Sequence, residues 1–445
     1  MTAAVLALAA VVAAVGAGNP VAGPAVPAVG AEGGVTTASA VARAASPDAL
    51  GLGECYEAAL KRSEVLADQA ELVLQAEEQY RQAWGALLPS LSASASYLRQ
   101  DAAATNPPTD PVQRQARVSA SVPLFRGFRN FAAIRQAGSL VDNSEGARRW
   151  ASLQLFTDTA QAFFGVLALE ADRARIDRQL ELYDGRVTEL EARARIGRSR
   201  SSDVLSTSAA RASLKAVREQ AAGQLASGRE VLAFITGLDP DVRLADPGDP
   251  DSNAGPLEAW LARAADRPDL SAARARLEAS RQAVTAARGD HLPSVDAGAN
   301  WYLERPADKP WPEWDAQIAL TLPLFMGGIT TSRTRQADSR RREAELSLER
   351  LRRSSTADVR GLHRVLASDL RQVAALDDAY GLAEKSYEAI KADYDAGLAT
   401  NLDVLQSLIS YQDTGRAMDR ARFQAHLDRC RLKAAAGVDP GKDTP

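Results

Sequence analysis

The stretch at residues 197–205 reads GRSRSSDVL, and a related stretch, GLATNLDVL, occupies residues 397–405, 200 positions later. Both copies open with glycine and close with Asp-Val-Leu. Glycine readily takes the left-handed backbone conformation in which many helices end. Short polar residues are typical of the position before a new helix. Each copy therefore predicts a sharp turn between two helices, with Gly197 or Gly397 in the turn.

The helices on both sides of these turns are predicted to be long. None of the 21 prolines falls in residues 124–239 or 324–439, two spans of 116 residues each. Because proline inside a helix costs about 3 kcal/mol, such spans favour uninterrupted helices. We expect each span to form a helical hairpin whose first helix has about 70 residues and a length of roughly 105 Å. Ser201 or Ser202, and Asn401, are the expected caps of the returning helices.

Apolar residues in the long helices follow heptad spacing, in alternating steps of four and three. They lie at equivalent positions in the two halves: Ile176, Leu180, Tyr183, Val187, Leu190 and Ala194, and Leu376, Tyr380, Ala383, Tyr387, Ile390 and Tyr394. Charged and polar residues occupy the positions between them. The pattern predicts coiled-coil seams with solvated outer faces.

Further landmarks repeat at the same offset and in the same order. Residues 121–125 (SVPLF) correspond to 321–325 (TLPLF), and residues 236–240 (TGLDP) correspond to 436–440 (AGVDP). Several matches at one offset indicate an internal duplication. The predicted organisation is a leader at 1–45, a first repeat at 46–240, a linker at 241–257, a second repeat at 258–440 and a tail at 441–445.

Each repeat is predicted to open with one helix, at about residues 54–87 and 257–290, and to continue with two strands. After a Leu-Pro-Ser sequence, apolar and polar residues alternate with a period of two. The apolar positions are Leu91, Ala93, Ala95 and Tyr97; Val118, Ala120, Val122 and Leu124; Val295, Ala297, Ala299, Trp301 and Leu303; and Ile318, Leu320, Leu322 and Leu324. Strands of about ten residues with one apolar face suit a tilted membrane crossing, although half-buried strands of a soluble sheet also alternate.

Aromatic residues gather near the strand ends and the loop between them. They are Tyr97, Trp301, Tyr302, Trp311 and Trp314. Trp and Tyr at strand tips are typical of the girdle that a membrane barrel places at the lipid interface. The alternative is a local hydrophobic cluster that caps a soluble sheet.

Four strands are too few to close a membrane barrel, and lipid does not tolerate an open sheet edge. Two chains would supply eight strands, whose barrel is filled by its own side chains. Three chains would supply twelve and leave a lumen. The predicted fold is therefore mainly α with a membrane β-barrel: a long α-helical coiled-coil barrel plus four β-strands per chain, completed as a 12-stranded barrel in a homotrimer.

The N-terminal segment predicts export. Residues 1–31 contain no charged side chain, and residues 1–17 are mostly Ala, Val and Leu. An apolar run of this length followed by small residues is typical of a secretory signal. We expect residues 1–45 to be a signal peptide or leader that is cleaved or disordered.

Composition excludes several classes of protein. With 53 Lys and Arg against 57 Asp and Glu, a net charge of −4 excludes a generally basic nucleic-acid binder. Three scattered histidines and two cysteines predict no metal site and no disulfide scaffold, although a Cys55–Cys430 bond is conceivable in an exported protein. The sequence holds no Ser-His-Asp grouping or phosphate loop, so we expect no enzyme activity and no cofactor.

The duplicated order of Leu-Pro-Ser, strand, Pro-Leu-Phe, long helix, Gly-x5-Asp-Val-Leu turn and Gly-x-Asp-Pro end resembles the TolC-like outer-membrane efflux protein family, over about residues 50–440. The resemblance implies a homotrimeric channel-tunnel in the outer membrane of a Gram-negative-type bacterium, extending into the periplasm. It would export small molecules (drugs, metabolites, ions) or secreted proteins. The implied partners are outer-membrane lipid, a periplasmic adaptor (membrane fusion protein) and an inner-membrane pump of RND, ABC or MFS type. The alternative is a periplasmic coiled-coil adaptor or scaffold without a pore.

The resemblance also implies roles near the two turns. Asp403 matches an acid that constricts the periplasmic end, and Gln406 stands where some members have a second acid. Tyr394 matches a tyrosine that links to the partner helix pair, and Ser202 and Asp203 match the acceptor side of that link. Three Asp403 copies near one axis would attract cations and raise the pKa of one another. The alternative is that Asp203 and Asp403 are ordinary acids at helix N-termini.

Overall fold

The computed structural model describes residues 49–101, 111–305 and 312–438. The predicted leader, the tail at 441–445 and Trp311 lie outside the described residues. The helices are α1 (Leu52–Arg62), α2 (Glu64–Gly85), α3 (Arg129–Arg195), α4 (Ser201–Thr236), α5 (Leu257–Ala264), α6 (Pro268–Gly289), α7 (Ile329–Asp395) and α8 (Asn401–Ala435). The strands are β1 (Ser90–Arg99), β2 (Val112–Arg126), β3 (Ser294–Glu304) and β4 (Trp314–Thr321). Two helices, two strands and a long helical hairpin thus follow one another twice.

The long helices α3 and α7 have 67 residues each, which makes each roughly 100 Å long. In α3 the heptad residues Ile176, Tyr183 and Leu190 are fully buried. The equivalent residues of α7, among them Leu376 and Ile390, are only half-buried. The same heptad pattern is therefore covered in the first repeat and partly uncovered in the second.

The helix predicted at the start of each repeat is two helices, so that prediction is wrong in its continuity. Ser63 lies between α1 and α2 in an extended conformation, and its hydroxyl accepts a hydrogen bond from the Leu66 amide at 3.3 Å. In the second repeat Pro268 is the first residue of α6. A proline fits the first turn of a helix but not its interior, so the chain breaks before it.

The four strands form one antiparallel sheet in the order β1-β2-β3-β4. The register aligns the predicted apolar positions on one face, in rows such as Val122, Ala297 and Ile318. The other face carries polar rows, such as Ser92, Ser119, Asn300 and Asp315. Ser119 donates a hydrogen bond to Asn300 at 2.7 Å, and Asn300 donates one to Asp315 at 2.8 Å. β1 and β4 are the edges of this sheet.

β4 is shorter than predicted. It ends at Thr321, so Leu322 and Leu324 do not continue the strand. Thr321 pairs with Ser294, which is the first residue of β3, and β3 therefore offers no backbone partner beyond that point. The exposed Leu324 lies in the connection to α7 instead.

α3 is the central helix of the chain. It packs against α2 and α4, and also against α6 and α8, whereas α7 packs against α5, α6 and α8. α2 and α4 thus form one edge of the helical layer and α7 forms the other. The main hydrophobic cluster lies where α3 meets α4 and α8, and it includes Phe156, Phe163, Leu225, Leu232, Phe423 and Leu427.

Candidate functional site

Both predicted turns lie at the ends of α3 and α7 that are furthest from the sheet. Gly197 has φ +71° and Gly397 has φ +80°. In each turn the amide that follows the glycine donates a hydrogen bond of 2.8 Å to a carbonyl five residues earlier. This bond together with a left-handed glycine is the Schellman ending of a helix. The prediction that these glycines form the turns is confirmed.

The turn of the second repeat is closed by Thr400, and the prediction that Asn401 caps α8 is wrong. The Thr400 hydroxyl accepts a hydrogen bond from the Asp403 amide at 3.3 Å, and the Asp403 carboxylate accepts one from the Thr400 amide at 2.8 Å. The Thr400 hydroxyl also lies 2.6 Å from that carboxylate. Hydrogen bonding from Thr400, first from its hydroxyl and then from its amide, lowers the pKa of Asp403 below the ordinary aspartate value.

The turn of the first repeat has no equivalent closure. Arg200 occupies the cap position of α4, and no side chain there accepts a capping hydrogen bond in the described chain. The expected caps Ser201 and Ser202 are instead the first two residues of the helix. An arginine side chain carries only donors, so it cannot accept from the free amides of the first turn.

Asn401 ties the second turn to the first hairpin. It is buried, its carbonyl oxygen accepts a hydrogen bond from Arg186 of α3 at 3.1 Å, and its amide donates to Thr207 of α4 at 3.1 Å. Arg186 and Thr207 are buried as well. A buried polar group is stable only with such partners, so these three residues hold the two hairpins in one relative position.

Two arginines of α3 bind the end of α7. The guanidinium carbons of Arg186 and Arg193 lie 3.8 Å and 4.9 Å from the centre of the Tyr394 ring. Arg193 also donates to Asp395 at 2.6 Å, and Glu189 lies 2.9 Å from Arg186 and 2.6 Å from Arg193. Cation–π contacts contribute about 0.5–2 kcal/mol each, with the larger value for buried pairs. We call Arg186, Arg193, Tyr394 and Asn401 the tip cluster.

The predicted site residues do not all join this cluster. Asp403 and Gln406 lie exposed on α8, Ser202 is exposed and Asp203 is half-buried. Within the described residues of one chain, no hydrogen bond joins Tyr394 to Ser202 or Asp203. The backbone carbonyl of Asp203 accepts hydrogen bonds from Ser206 and Thr207 instead.

Arg186 and Arg193 are the site residues that the sequence reasoning missed. They stand seven residues apart on α3, as Tyr387 and Tyr394 do on α7. Residues at this spacing lie on the same face of a helix. The matched spacing was the signal that could have paired them.

Further polar links join α3 to α8 above the tip. Arg175 makes a two-pronged ion pair with Asp419, and it also donates to the Tyr380 hydroxyl at 3.1 Å. On α3, one helical turn further from Gly197 than Arg175, Asp172 accepts a hydrogen bond from Arg416 at 2.6 Å. Asp172 is buried, so it needs this partner. From Asn401 to Asp419 of α8, the contact between the two hairpins thus combines these polar links with a hydrophobic cluster that joins Leu405 and Leu408 to Ile176 and Leu180.

The predicted aromatic residues lie toward the loop end of the sheet. Trp301 and Trp314 pair directly across β3 and β4, and Trp314 and Tyr97 are exposed. The Tyr302 ring lies under the Arg305 guanidinium at 3.1 Å. This position agrees with an aromatic girdle at the lipid interface, and that assignment stays a prediction.

Among the described residues, no helix combines the length and apolarity needed to cross a membrane. No group of three or more His, Cys, Asp or Glu side chains among them is arranged to hold a metal ion.

Known proteins share this arrangement of strands and hairpins. The family model "Outer membrane efflux protein" matches residues 55–238 and 262–438, which together are most of the chain and reproduce its duplication. The chain belongs to the outer membrane efflux protein family. Its channel relatives are not enzymes, and they place the chain in the outer membrane of a Gram-negative bacterium as predicted. The alternative of an adaptor or scaffold without a pore is wrong.

Individual relatives agree with the family assignment. The outer membrane protein TolC of Vibrio cholerae is 26% identical over 419 residues, which cover 87% of this chain and 90% of that protein. The solved outer membrane protein VceC of Vibrio cholerae is 23% identical, with a TM-score of 0.76 over 87% of this chain and 96% of VceC. The alkaline protease secretion protein AprF of Pseudomonas aeruginosa is 26% identical over 184 residues, 39% of this chain and 37% of AprF. The predicted fold class of long helices with a four-stranded sheet is confirmed.

Proposed function

We propose that three copies of this efflux-family chain form one channel-tunnel, through which small molecules leave the cell. The observation that carries the proposal is the sheet, with one apolar face, one hydrogen-bonded polar face and two open edges. Unpaired backbone groups in lipid cost several kcal/mol each. Edge-to-edge pairing of β4 with β1 of the next copy removes every open edge and closes a twelve-stranded barrel.

The two faces of the sheet fix which side is wet. The apolar rows would contact lipid, and the polar rows with Ser119, Asn300 and Asp315 would line the lumen. Arg126 on the polar side is paired with Asp296 at 3.0 Å. A lumen of hydroxyl and amide groups with paired charges supports passage of hydrated solutes without a binding site of its own.

The hairpin turns would form the periplasmic end of the tunnel. We assign the tip cluster the role of holding this end narrow, because it joins the second hairpin to the first through buried contacts. In this proposal Tyr394 acts through Arg186 and Arg193, with Ser202 and Asp203 beside it on the first hairpin. Asp403 and Gln406, both exposed on α8, would face the constriction.

The cargo and partners follow from the class of the channel. A tunnel without an energy source needs a pump in the inner membrane and an adaptor between the two, as predicted above. Small-molecule efflux fits the family model, whereas the similarity to AprF, a protease secretion protein, favours protein export as the second candidate. Deleting the gene and measuring both drug susceptibility and secreted protein would separate the two.

The direct test is conductance of the purified chain in a planar bilayer. We expect discrete channels whose conductance rises when the tip cluster is broken by Tyr394→Ala. The matched control is Tyr97→Ala at the loop end of the sheet, far from the tip cluster. It should leave the channel conductance unchanged. A purified, folded chain that inserts and never conducts would overturn the proposal.

A further inference from the structure

The two edges of the helical layer present charged stripes of opposite sign. Six of the ten exposed arginines of α7 lie on one stripe: Arg335, Arg342, Arg353, Arg360, Arg364 and Arg371. Their spacing of 7, 11, 7, 4 and 7 keeps all six within roughly 40° of one another around the helix. We call this set the arginine stripe. It runs along about 54 Å of α7.

The arginine stripe faces away from the rest of its own chain. The residues with which α7 packs inward are Leu348, Ser355, Val359, Leu366 and Leu370. At 100° per residue they lie roughly 130° around the helix from the stripe. Among the described residues, Arg342 pairs with Asp338 at 2.7 Å, and the other five arginines form no ion pair.

The opposite edge of the layer is mainly acidic, with the exposed Lys215 of α4 one helical turn from Glu219. Its exposed acids are Glu64, Asp68, Glu71 and Glu78 on α2, and Glu219 and Glu230 on α4. On α2 they lie roughly opposite the buried residues Val73 and Ala76, and on α4 roughly opposite Leu214 and Leu225. We call these six residues the acidic edge. Their only ion pairs in the described chain are with neighbours on the same or adjoining helix, and those pairs are exposed.

The joint between the two repeats inside the chain shows how such edges meet. There α3 packs against α6 and α8, and ion pairs cross the contact, including Arg129 with Asp290 at 2.6 Å and Arg175 with Asp419. The joint from one copy to the next would use the equivalent elements, with α7 in place of α3 and with α2 and α4 in place of α6 and α8. The duplication therefore supplies a template for a contact that a single chain cannot contain.

The template brings the two charged edges together. Glu219 is the repeat equivalent of Asp419, and Arg371 lies one helical turn from the equivalent of Arg175. Higher up, Gly146 of α3 approaches Ala272 of α6 so closely that an added Cβ would lie 2.8 Å from the Ala272 Cβ. The equivalents of these two residues are Leu346, which Arg342 and Arg353 flank, and Asp68 of the acidic edge.

We propose that the arginine stripe of one copy binds the acidic edge of the next copy. The match of opposite charges then determines which edge of each copy contacts which edge of its neighbour. The inference rests on the proposed trimer and names the surface that builds it. Each exposed ion pair is weak, but a run of them on two facing helices rejects the two wrong pairings, stripe against stripe and acid against acid.

The test uses charge reversal in the full chain, purified in detergent. The first variant, Arg342→Glu, Arg353→Glu and Arg371→Glu, places acids opposite Asp68, Glu71 and Glu219 at the positions that the template brings together. The second, Asp68→Arg, Glu71→Arg and Glu219→Arg, places arginines opposite Arg342, Arg353 and Arg371. The third carries all six changes and so restores opposite charges at these positions, with their signs exchanged. A control, Arg148→Glu, Arg149→Glu and Arg198→Glu, changes the net charge as the first variant does but leaves both edges intact.

The copies per particle would be counted by light scattering at 0.15 M and 1 M NaCl. We expect each single-edge variant to lose more than tenfold in trimer affinity at 0.15 M and to recover in part at 1 M, where repulsion is screened. The third variant, with all six changes, and the control should remain trimeric. When wild-type chains and chains with all six changes carry different tags and are expressed together, they should form separate trimers.

The outcomes separate this inference from the proposed function. A wild-type chain that does not oligomerise would overturn both. A wild-type trimer with trimeric single-edge variants, or free mixing of exchanged and wild-type chains, would overturn the charge match alone. Circular dichroism recognises a variant that loses secondary structure. The third variant then tests the charge match, because it contains every substitution and is still expected to form a trimer.

Discussion

The two long helices α3 and α7 have the same length and the same heptad pattern, yet twenty residues of α3 are buried and only five of α7. The returning helices show the reverse: six residues of α4 are buried and sixteen of α8. Neither repeat is therefore the more buried one. Burial follows position in the layer, where α3 and α8 are inside and α4 and α7 are at the edges. The difference indicates that the edge helices are built for neighbours that one chain does not supply.

The largest expected effect is the difference in stability loss between a substitution on the inner helix α3 and one at the equivalent position of the edge helix α7. Phe163 of α3 is fully buried in the main cluster, and Phe163→Ala should lower the free energy of unfolding by about 3–5 kcal/mol. His363, at the equivalent position of α7, makes one hydrogen bond to the Gly255 carbonyl at 2.8 Å. His363→Ala should cost about 1 kcal/mol. Urea unfolding followed by circular dichroism measures both, and equal losses would contradict the inner-and-edge account.

The next effect compares the two arginines of the tip cluster. Arg186 is 7% exposed and binds both Tyr394 and Asn401. Arg193 is half-buried and pairs with the exposed Asp395 and the half-buried Glu189. Hydrogen bonds to a charged group contribute about 1.5–3 kcal/mol when buried. Arg186→Ala should speed amide exchange of residues 401–408 by about 30-fold, since each 1.4 kcal/mol is a factor of ten. Arg193→Ala should give less than tenfold, and the opposite ranking would remove Arg186 from the centre of the cluster.

A smaller effect compares the two turns. Asp403 caps α8 through Thr400, while the first turn has no side-chain cap. Asp403→Asn should fray the start of α8 and reduce the cation preference of the channel, and Asp203→Asn should change both less. Reversal potentials in a salt gradient across a planar bilayer check the preference. An unchanged preference in Asp403→Asn would mean that Asp403 is only a helix cap.

The same carboxylate gives a pH dependence with a definite sign. The pKa of Asp403 in the folded chain is lowered by Thr400. Its contribution to α8 is therefore fully present above the unfolded aspartate pKa near 4 and is lost as the pH falls through the lower, folded pKa. Amide exchange at the start of α8 should rise as the pH drops below about 4, after correction for intrinsic rates. Asp403→Asn should remove that step.

The smallest effect concerns the two cysteines, which both belong to the main cluster although one lies on α1 and the other on α8. Both thiols are free, and burial raises the pKa of each to about 11. Cys55 and Cys430 should therefore react with a thiol reagent at pH 8 only after unfolding, since the thiolate is the reactive form. Ser202→Cys at the exposed first turn is the matched control and should react at once. Rapid labelling of the wild-type chain would contradict the buried position.

The sequence was enough for features that depend on local chemistry. Positive φ at Gly197 and Gly397, the alternating faces of the strands and the extent of α3 and α7 all follow from residue type and spacing. Pro268 also marks a break by local chemistry, because proline fits the first turn of a helix but not its interior. The end of β4 has no local mark in the sequence, because it depends on where β3 begins. Thr400 rather than Asn401 caps α8 because tertiary contacts from Arg186 and Thr207 hold Asn401 inside.

The tip cluster shows the limit of sequence reasoning more clearly. Asp403 and Tyr394 stand out as an acid after a turn and an aromatic in a heptad. Arg186 does not, since arginines at polar heptad positions are usually solvated. Its role depends on α3 lying beside the end of α7, and that proximity exists only after both hairpins have packed. Long-range contacts of this kind leave no local pattern to read.

The central claim is that one chain is a third of a ring, with α7 and β4 left for the next copy. Native mass spectrometry of the detergent-purified full chain tests it most directly, because it counts copies without assuming their arrangement. The account predicts three copies per particle as the dominant species. A stable particle of one or two copies, in a protein that still forms folded hairpins by circular dichroism, would contradict it.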